Sequence, residues 1–290
     1  MGYKVSNKIF DFIVILITAI SALICLLPLV NVLATSLSST SAILASKVYL
    51  LPVETTFESY KAIFKDDSMI RSLIFTALMT VGYTVLGMIL TICAAYPLTK
   101  KRLKGRNIIL LMIIFTMYFS GGLIPDYILA KNLNILDTVW SLVLPGAISA
   151  YNLIVLKSFF SSLPESLEES AILDGCNDIG VLFRIVLPLS KPVLATLSLF
   201  YAVGKWNSFM DALFYITDSK LYPLQLKLYQ IIVNSQGIDA SIGEGNISQN
   251  VLPESLEAAC VIFATVPIIL VYPWLQKYFV TGIMVGSVKG

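Results

Sequence analysis

The sequence contains no histidine. That removes imidazole as a general base near neutral pH, and with it the commonest nitrogen ligand for zinc and other transition metals. Charge is scarce as well: 13% of the 290 residues are Asp, Glu, Lys or Arg, roughly half of the ~25% usual in soluble domains. The net charge is +2, and no basic cluster of the nucleic-acid-binding kind occurs, which argues against DNA or RNA as a partner. The four cysteines, Cys25, Cys93, Cys176 and Cys260, show no metal-ligand spacing. Three of them lie in apolar runs, so buried bystanders are expected, without a disulfide framework. A G-x-x-x-x-G-K-[ST] phosphate loop is missing, so ATP chemistry has to come from elsewhere.

What is there is apolar: 57% of the residues are hydrophobic, in long runs almost free of charge. About 20 apolar residues cross a hydrocarbon core, and the runs predict six membrane spans at 10–34, 71–96, 107–125, 138–158, 193–214 and 256–278. The first opens like a signal peptide, with Lys4 and Lys8 ahead of it. It then runs well past the ~7–15 apolar residues of such a signal, so an uncleaved first helix is expected. Five basic residues crowd the short loop 100–106, KKRLKGR. The positive-inside rule puts that loop in the cytoplasm, with both termini inside (N-in, C-in). The expected fold is a single all-α transmembrane domain over 1–290, with long outer loops at 35–70 and 215–254. In the first, Phe57, Tyr60, Ile63 and Phe64 fall on one face of a short amphipathic helix. The second ends in a Gly/Ser/Asn-rich stretch, expected to be mobile.

Between the fourth and fifth spans, the cytoplasmic segment 159–192 is polar yet carries helix signals. Ser162 and Glu165 have capping-box spacing with Pro164 in the first turn. Leu163, Leu167 and Ala171 recur at i, i+4, i+8, and Glu165, Glu168 and Glu169 favour the positive end of the dipole. Gly175 suits the left-handed end of this helix. Asn177 or Asp178 can cap a second helix that Pro188 stops. The expectation is a helix–Gly–helix knuckle, a shape that a partner can grip.

Here the residues carry a resemblance. Glu169-Ser170-Ala171, three residues, Gly175, nine residues, then Ile185-Val186-Leu187-Pro188 resembles the EAA loop of bacterial ABC-importer permeases, with Ser170 in place of the middle alanine. The tail Gly282–Gly290, GIMVGSVKG, resembles the end of maltose-type permeases, as do YFSGGLIPDY (118–127), LPGAISAYNL (144–153) and, more loosely, LFYAVGKWNSFMDAL (199–213). The chain is similar to carbohydrate-type permeases of the maltose-permease-like branch, in particular the oligosaccharide and polysaccharide-fragment group. The resemblance implies type I ABC-importer architecture and a location in the bacterial cell membrane. It also implies a second, different permease chain, two ATPase subunits and an extracytoplasmic solute-binding protein. This chain would bind no cofactor or metal, ATP and Mg belonging to the partner subunits, and would not itself be an enzyme. On this resemblance the knuckle is a coupling helix docking on an ATPase, with Glu169, Ser170, Ala171, Asp174, Gly175, Ile185, Leu187 and Pro188 as coupling residues.

The fifth span holds Lys205, Trp206, Asn207 and Asp211. Ionisable groups in a membrane usually face a bundle interior or a wet cavity. Asn207 and Asp211 are helical neighbours at i, i+4, whereas Lys205 and Asp211, six apart, should point elsewhere. A polar, aromatic face suits a sugar, which offers hydroxyls to bond and rings to stack on. The pathway candidates are Trp206, Asn207, Asp211 and Lys205, followed by Tyr118, Tyr151 and Asn152. Pro267 and Pro273 are expected to interrupt the last span. The competing readings are an ABC permease for a non-sugar solute such as an amino acid or polyamine, an ion-coupled secondary transporter, and an intramembrane enzyme. The tail, the Trp/Asn/Asp face and the resemblance favour a sugar over the first, and the other two leave the spacing of 169–188 unexplained.

Overall fold

The structure, a computed structural model, describes residues 2–235 and 253–287, and among them every regular element is helical. In chain order the helices are α1 (Gly2–Ser36), α2 (Thr40–Leu44), α3 (Glu58–Lys65), α4 (Asp67–Ala95), α5 (Arg106–Tyr118), α6 (Leu123–Asn132), α7 (Val139–Val143) and α8 (Ala150–Ser162). There follow α9 (Glu165–Leu173), α10 (Asp178–Val181), α11 (Leu187–Leu189), α12 (Lys191–Trp206), α13 (Met210–Tyr215), α14 (Leu224–Ser235) and α15 (Pro253–Ser287).

Among the described residues, three stretches are long and apolar enough to cross a membrane unbroken, at Phe10–Ser36, Asp67–Thr99 and Glu254–Val271. The other apolar runs are broken. α5 and α6 meet at 116°, where Ser120-Gly121-Gly122 interrupts the ladder. The run at 138–158 is divided between α7 and α8 around Pro145-Gly146. The fifth is divided between α12 and α13 at Asn207–Phe209. Pro267 and Pro273, by contrast, do not interrupt α15, which runs helical through both. Each removes one backbone donor, and the long apolar flanks carry the helix across.

Contacts group the chain into two compact units, Met1–Ile70 with Lys227–Pro267 and Arg71–Leu226 with Ile268–Gly290. In the first, Ile63 and Ser59 are buried on α3 while Phe57 and Phe64 stay exposed. The buried face of this short helix is thus the Ser59–Ile63 side, with Tyr60 half-buried, rather than all four apolar residues. The Ser59 hydroxyl donates to Ser255 on α15 at 3.1 Å. Most of the Gly/Ser/Asn-rich stretch expected to be mobile falls at 236–252, outside the described residues. α15 extends to Ser287, so the tail from Gly282 is helical up to there. Only Cys260 of the four cysteines is buried, Cys25 and Cys93 being exposed and Cys176 half-buried.

In the second unit, the core joins the end of α4 to the knuckle. Met88, Ala95, Tyr96, Leu153, Leu156, Phe160, Ala171, Val181, Val186, Leu197 and Tyr201 form one buried cluster. A second cluster holds Met79, Leu142, Val143, Ala212, Ile216 and Leu226. These clusters position the two sites described next.

Candidate functional site

The knuckle begins differently from its capping-box signal. The Ser162 hydroxyl donates back to Phe159 O at 2.8 Å and so closes α8. Leu163 is extended (φ −68°, ψ 143°), and Pro164 is the N-cap, making no side-chain cap. A residue ahead of proline is pushed out of the helical region, which separates Ser162 from the next helix. The C-terminal end follows the sequence signal. Gly175 has φ +83°, while Gly175 N–H donates to Ile172 O at 3.0 Å and Cys176 N–H to Ala171 O at 2.9 Å. Those two bonds are a Schellman motif, and the left-handed residue that it needs costs nothing at glycine. Asn177 caps α10 by accepting Gly180 N–H at 2.7 Å.

Pro188 does not stop the second helix. The chain winds through a wide π turn, Leu182–Val186, and continues helical to Leu189 before an 82° bend into α12. A proline ring clashes with the carbonyl four residues earlier. A widened turn immediately before Pro188 relieves that clash, and such turns favour functional positions. Ala171 faces inward at 6% exposure, and Ile185 and Leu187 pack on the same cluster. Glu169, Ser170, Asp174 and Pro188 point to solvent.

The basic loop holds the knuckle. Lys100 pairs with Glu168, Lys101 with Glu165 and Arg102 with Asp178. The Tyr96 hydroxyl donates to Asp178 O at 3.1 Å, and Lys100 Nζ lies 4.2 Å from the centre of the Tyr96 ring. Burial alone pulls the Lys100 ammonium down, but its hydrogen bonds to Glu168 and Tyr96 outweigh that and leave it above the ordinary lysine value. The Lys101 contact holds the Glu165 carboxyl below the usual carboxylate range. Two of the three early-turn glutamates are therefore neutralised within the chain.

The second site is a cleft of about 550 Å³ lined by Tyr83, Ser149, Tyr151, Asn152, Phe200, Tyr201, Val203, Gly204 and Lys205. A smaller one of about 280 Å³ shares Tyr83, Gly204 and Lys205 and adds Pro145, Gly146, Ser208 and Asp211. Lys205 is 5% exposed, and its Nζ donates to Leu142 O and to Asp211 Oδ2 (3.4 Å). The same ammonium stands 5.1 Å from the Tyr83 ring centre. Lys205 and Asp211 do not point apart as six-residue helical spacing requires, because the helix breaks between them and α13 folds Asp211 back. The break also dissolves the Asn207–Asp211 face: Asn207 is exposed and its side-chain amide donates to Val203 O at 2.9 Å.

One hydroxyl ties the cleft walls together. Tyr201 OH shares a 2.7 Å hydrogen bond with Thr91 Oγ1 and accepts Ser149 N–H at 2.9 Å. Gly87 allows this approach, since a Cβ there would lie 3.1 Å from both Ala147 O and the Tyr201 ring. Of the sequence candidates, Lys205, Asp211, Tyr151 and Asn152 come together around these clefts. Trp206 is buried without lining them, and Tyr118 stands 78% exposed at the end of α5. Tyr83, Tyr201, Phe200 and Ser149 were not among the candidates. The signal for Tyr83 lies in α4, where Thr76, Thr80, Tyr83, Thr84, Gly87 and Thr91 recur at three- and four-residue intervals as a polar stripe.

Residues 87–285 match the family described as "Binding-protein-dependent transport system inner membrane component". The chain is 42% identical over 284 residues to the polygalacturonan/rhamnogalacturonan transport system permease protein YtcP of Bacillus subtilis (strain 168), covering 98% of this chain and 99% of that one. It is 44% identical over 287 residues to protein LplC of the same organism, covering 98% and 96%. Among solved structures it is similar to a chain of a bacterial ABC transporter involved in the import of the acidic polysaccharide alginate, with TM-score 0.86, 32% identity and coverage of 94% and 98%. The chain belongs to the family of inner-membrane components of binding-protein-dependent transport systems.

Proposed function

We propose that this chain is the permease subunit of an ATP-driven importer that moves a sugar or oligosaccharide into the cell by alternating access. The observation that carries the reading is the pairing of two sites in one compact unit: a rigid, surface-borne knuckle and an aromatic, hydroxyl-lined cleft, joined by the buried cluster from Met88 to Val186. The cleft falls in the ~300–1,000 Å³ range typical of small-molecule sites. Tyr83, Tyr151, Phe200 and Tyr201 offer ring faces, and Asn152, Ser149, Lys205 and Asp211 offer hydrogen bonds. Relatives that carry polygalacturonan/rhamnogalacturonan and alginate support a polysaccharide-fragment substrate.

In this reading 1–290 is one permease domain crossing the membrane six times, three times by continuous helices and three times by broken ones, with both termini inside. A second permease chain, two ATPase subunits and a solute-binding protein complete the machine, and nucleotide and Mg sit on the ATPases. With Glu165 and Glu168 already paired, the knuckle offers an ATPase the exposed apolar side chains of Ile172, Leu173, Ile179 and Phe183 together with Glu169, Ser170 and Asp174. ATP-driven closure of the ATPases moves the knuckle as a lever, and the bundle opens outward. Hydrolysis resets it.

The test is co-purification of the tagged chain from its native membrane in mild detergent, wild type beside Gly175→Asp. A side chain at φ +83° is strained, by about 1–2 kcal/mol, enough to distort the knuckle without unfolding the bundle. Recovery of a second permease and an ATPase, with the ATPase lost from the variant, is the expected result. A chain that purifies alone, or keeps its ATPase with Gly175→Asp, refutes the coupling role.

A further inference from the structure

The segment between α2 and α3 is a loop pinned at many points. Ser39 N–H donates to Val53 O (3.2 Å), Thr56 N–H to Leu37 O (2.9 Å) and Val53 N–H to the Ser38 hydroxyl (3.1 Å). The Glu54 carboxylate accepts the Ser39 and Ser41 hydroxyls at 2.5 and 2.7 Å. Ser46 and Glu54 sit at φ +52° and +51°, conformations that non-glycine residues hold only when their surroundings enforce them. From this frame Tyr49, Leu50 and Leu51 project, 71%, 47% and 77% exposed. On a slack loop such side chains would collapse onto the nearest apolar surface. Here the backbone bonds keep them out, and exposed apolar groups clustered in this way mark a contact.

The depth of the loop identifies the contact. The Asn31 side-chain amide on α1 donates to Tyr49 O at 2.6 Å, fixing the loop alongside the last turns of that helix. A helix rises about 1.5 Å per residue, so a hydrocarbon core of ~30 Å takes about 20 residues. Asp11 is the last charged residue before the end of α1 at Ser36. Twenty residues counted on from Asp11 reach Asn31, so the Tyr49 carbonyl lies at the level where hydrocarbon gives way to headgroups. Residues 10–31 of α1 are all exposed, which leaves lipid free to reach the loop.

We propose that residues 47–51 are an interfacial anchor. The Leu50 and Leu51 side chains enter the edge of the hydrocarbon, the Tyr49 ring lies among the headgroups, and Lys47, also exposed, meets the lipid phosphates. Tyrosine beside a bilayer boundary and lysine on its polar side are the residue types that this environment favours. The anchor fixes the frame of α1–α3 against the bilayer surface, independently of which side of the membrane it faces.

The test places the photocrosslinking residue p-benzoylphenylalanine at Leu51 in the full chain, in vesicles of phosphatidylethanolamine and phosphatidylglycerol. The exposed Lys220 serves as the aqueous control. After irradiation, mass spectrometry should find lipid adducts at Leu51 several-fold above those at Lys220, unchanged when solute-binding protein is added. Adducts no greater than at Lys220, or capture of solute-binding protein or of another protein chain in place of lipid, would overturn the anchor. The same measurement at Tyr49, already an aromatic position, decides the matter if the bulky group at Leu51 prevents insertion.

Discussion

The knuckle and the α12–α13 break are both helical pairs bent at a short joint, yet opposite means hold them. At the knuckle the bonds are ion pairs at the surface: Lys101–Glu165 has side chains 76% and 72% exposed, and Arg102–Asp178 68% and 45%. At the α12–α13 break the bond is a lysine 5% exposed, reaching a carboxylate 37% exposed. An exposed pair contributes ~0–1 kcal/mol, whereas stripping the partner from a buried charge costs about 3–5 kcal/mol. The knuckle is clasped by three such contacts, two of them water-screened, over its share of the buried cluster. The cleft is fastened by few and strong ones, which hold one geometry or fail.

Asp211→Leu should have the largest effect. It leaves the Lys205 charge with Leu142 O and no carboxylate, and about 3 kcal/mol of stability should go, the low end of the range because Asp211 is partly solvated. Thermal unfolding in detergent would read it. Adding Lys205→Met to Asp211→Leu should recover part of the loss, because the pair is then removed whole; a double variant worse than the single would break the contrast.

Lys100→Glu comes next. Lys100 and Glu168 are 17% and 29% exposed, intermediate between the two extremes, and a loss of about 1–2 kcal/mol is expected. Charge reversal with Glu168→Lys should restore the lost stability in thermal unfolding, and failure of that rescue would show that the pair does not fasten the knuckle. Lys101→Ala should have the smallest effect on thermal unfolding, smaller still at high salt.

Acidification sharpens the same contrast. The Glu165 carboxyl is depressed below its ordinary value of 4.5, so its stabilisation is present above that value and is lost as pH falls through its lower folded-state value. The Lys100 ammonium is raised above 10.5, so its stabilisation is present below that value and fades only as pH rises past its folded-state value. The protection of the α9 amides, with their intrinsic pH-dependent exchange divided out, should therefore stay constant through the neutral range, then fall in acid. A fall in protection near neutrality would contradict the assigned pairs.

The knuckle was largely legible because its signals are local. Gly175 and Asn177 act within one turn, and a sequence displays such distances directly, whereas Leu167 of the expected apolar face stays exposed. Its fastening was not legible: Lys100 and Glu168 are 68 residues apart, and the basic loop read as a topology marker when it is also a clasp. The Lys205–Asp211 contact was missed for another reason. The break at Asn207–Phe209 has neither glycine nor proline, so periodicity carried a helix through it. Tyr83 was hidden because one tyrosine in an apolar run reads as ordinary packing.

The hydroxyl of Tyr201 serves α4 through Thr91 and the start of α8 through Ser149. In evolutionary terms that oxygen is a point of epistasis. A lineage that replaces Tyr201 by phenylalanine strands a threonine hydroxyl and a backbone N–H at once; change at 91 can remove the first, but the N–H at 149 stays with any side chain short of proline. The cleft walls are free to vary as a set and constrained as individuals.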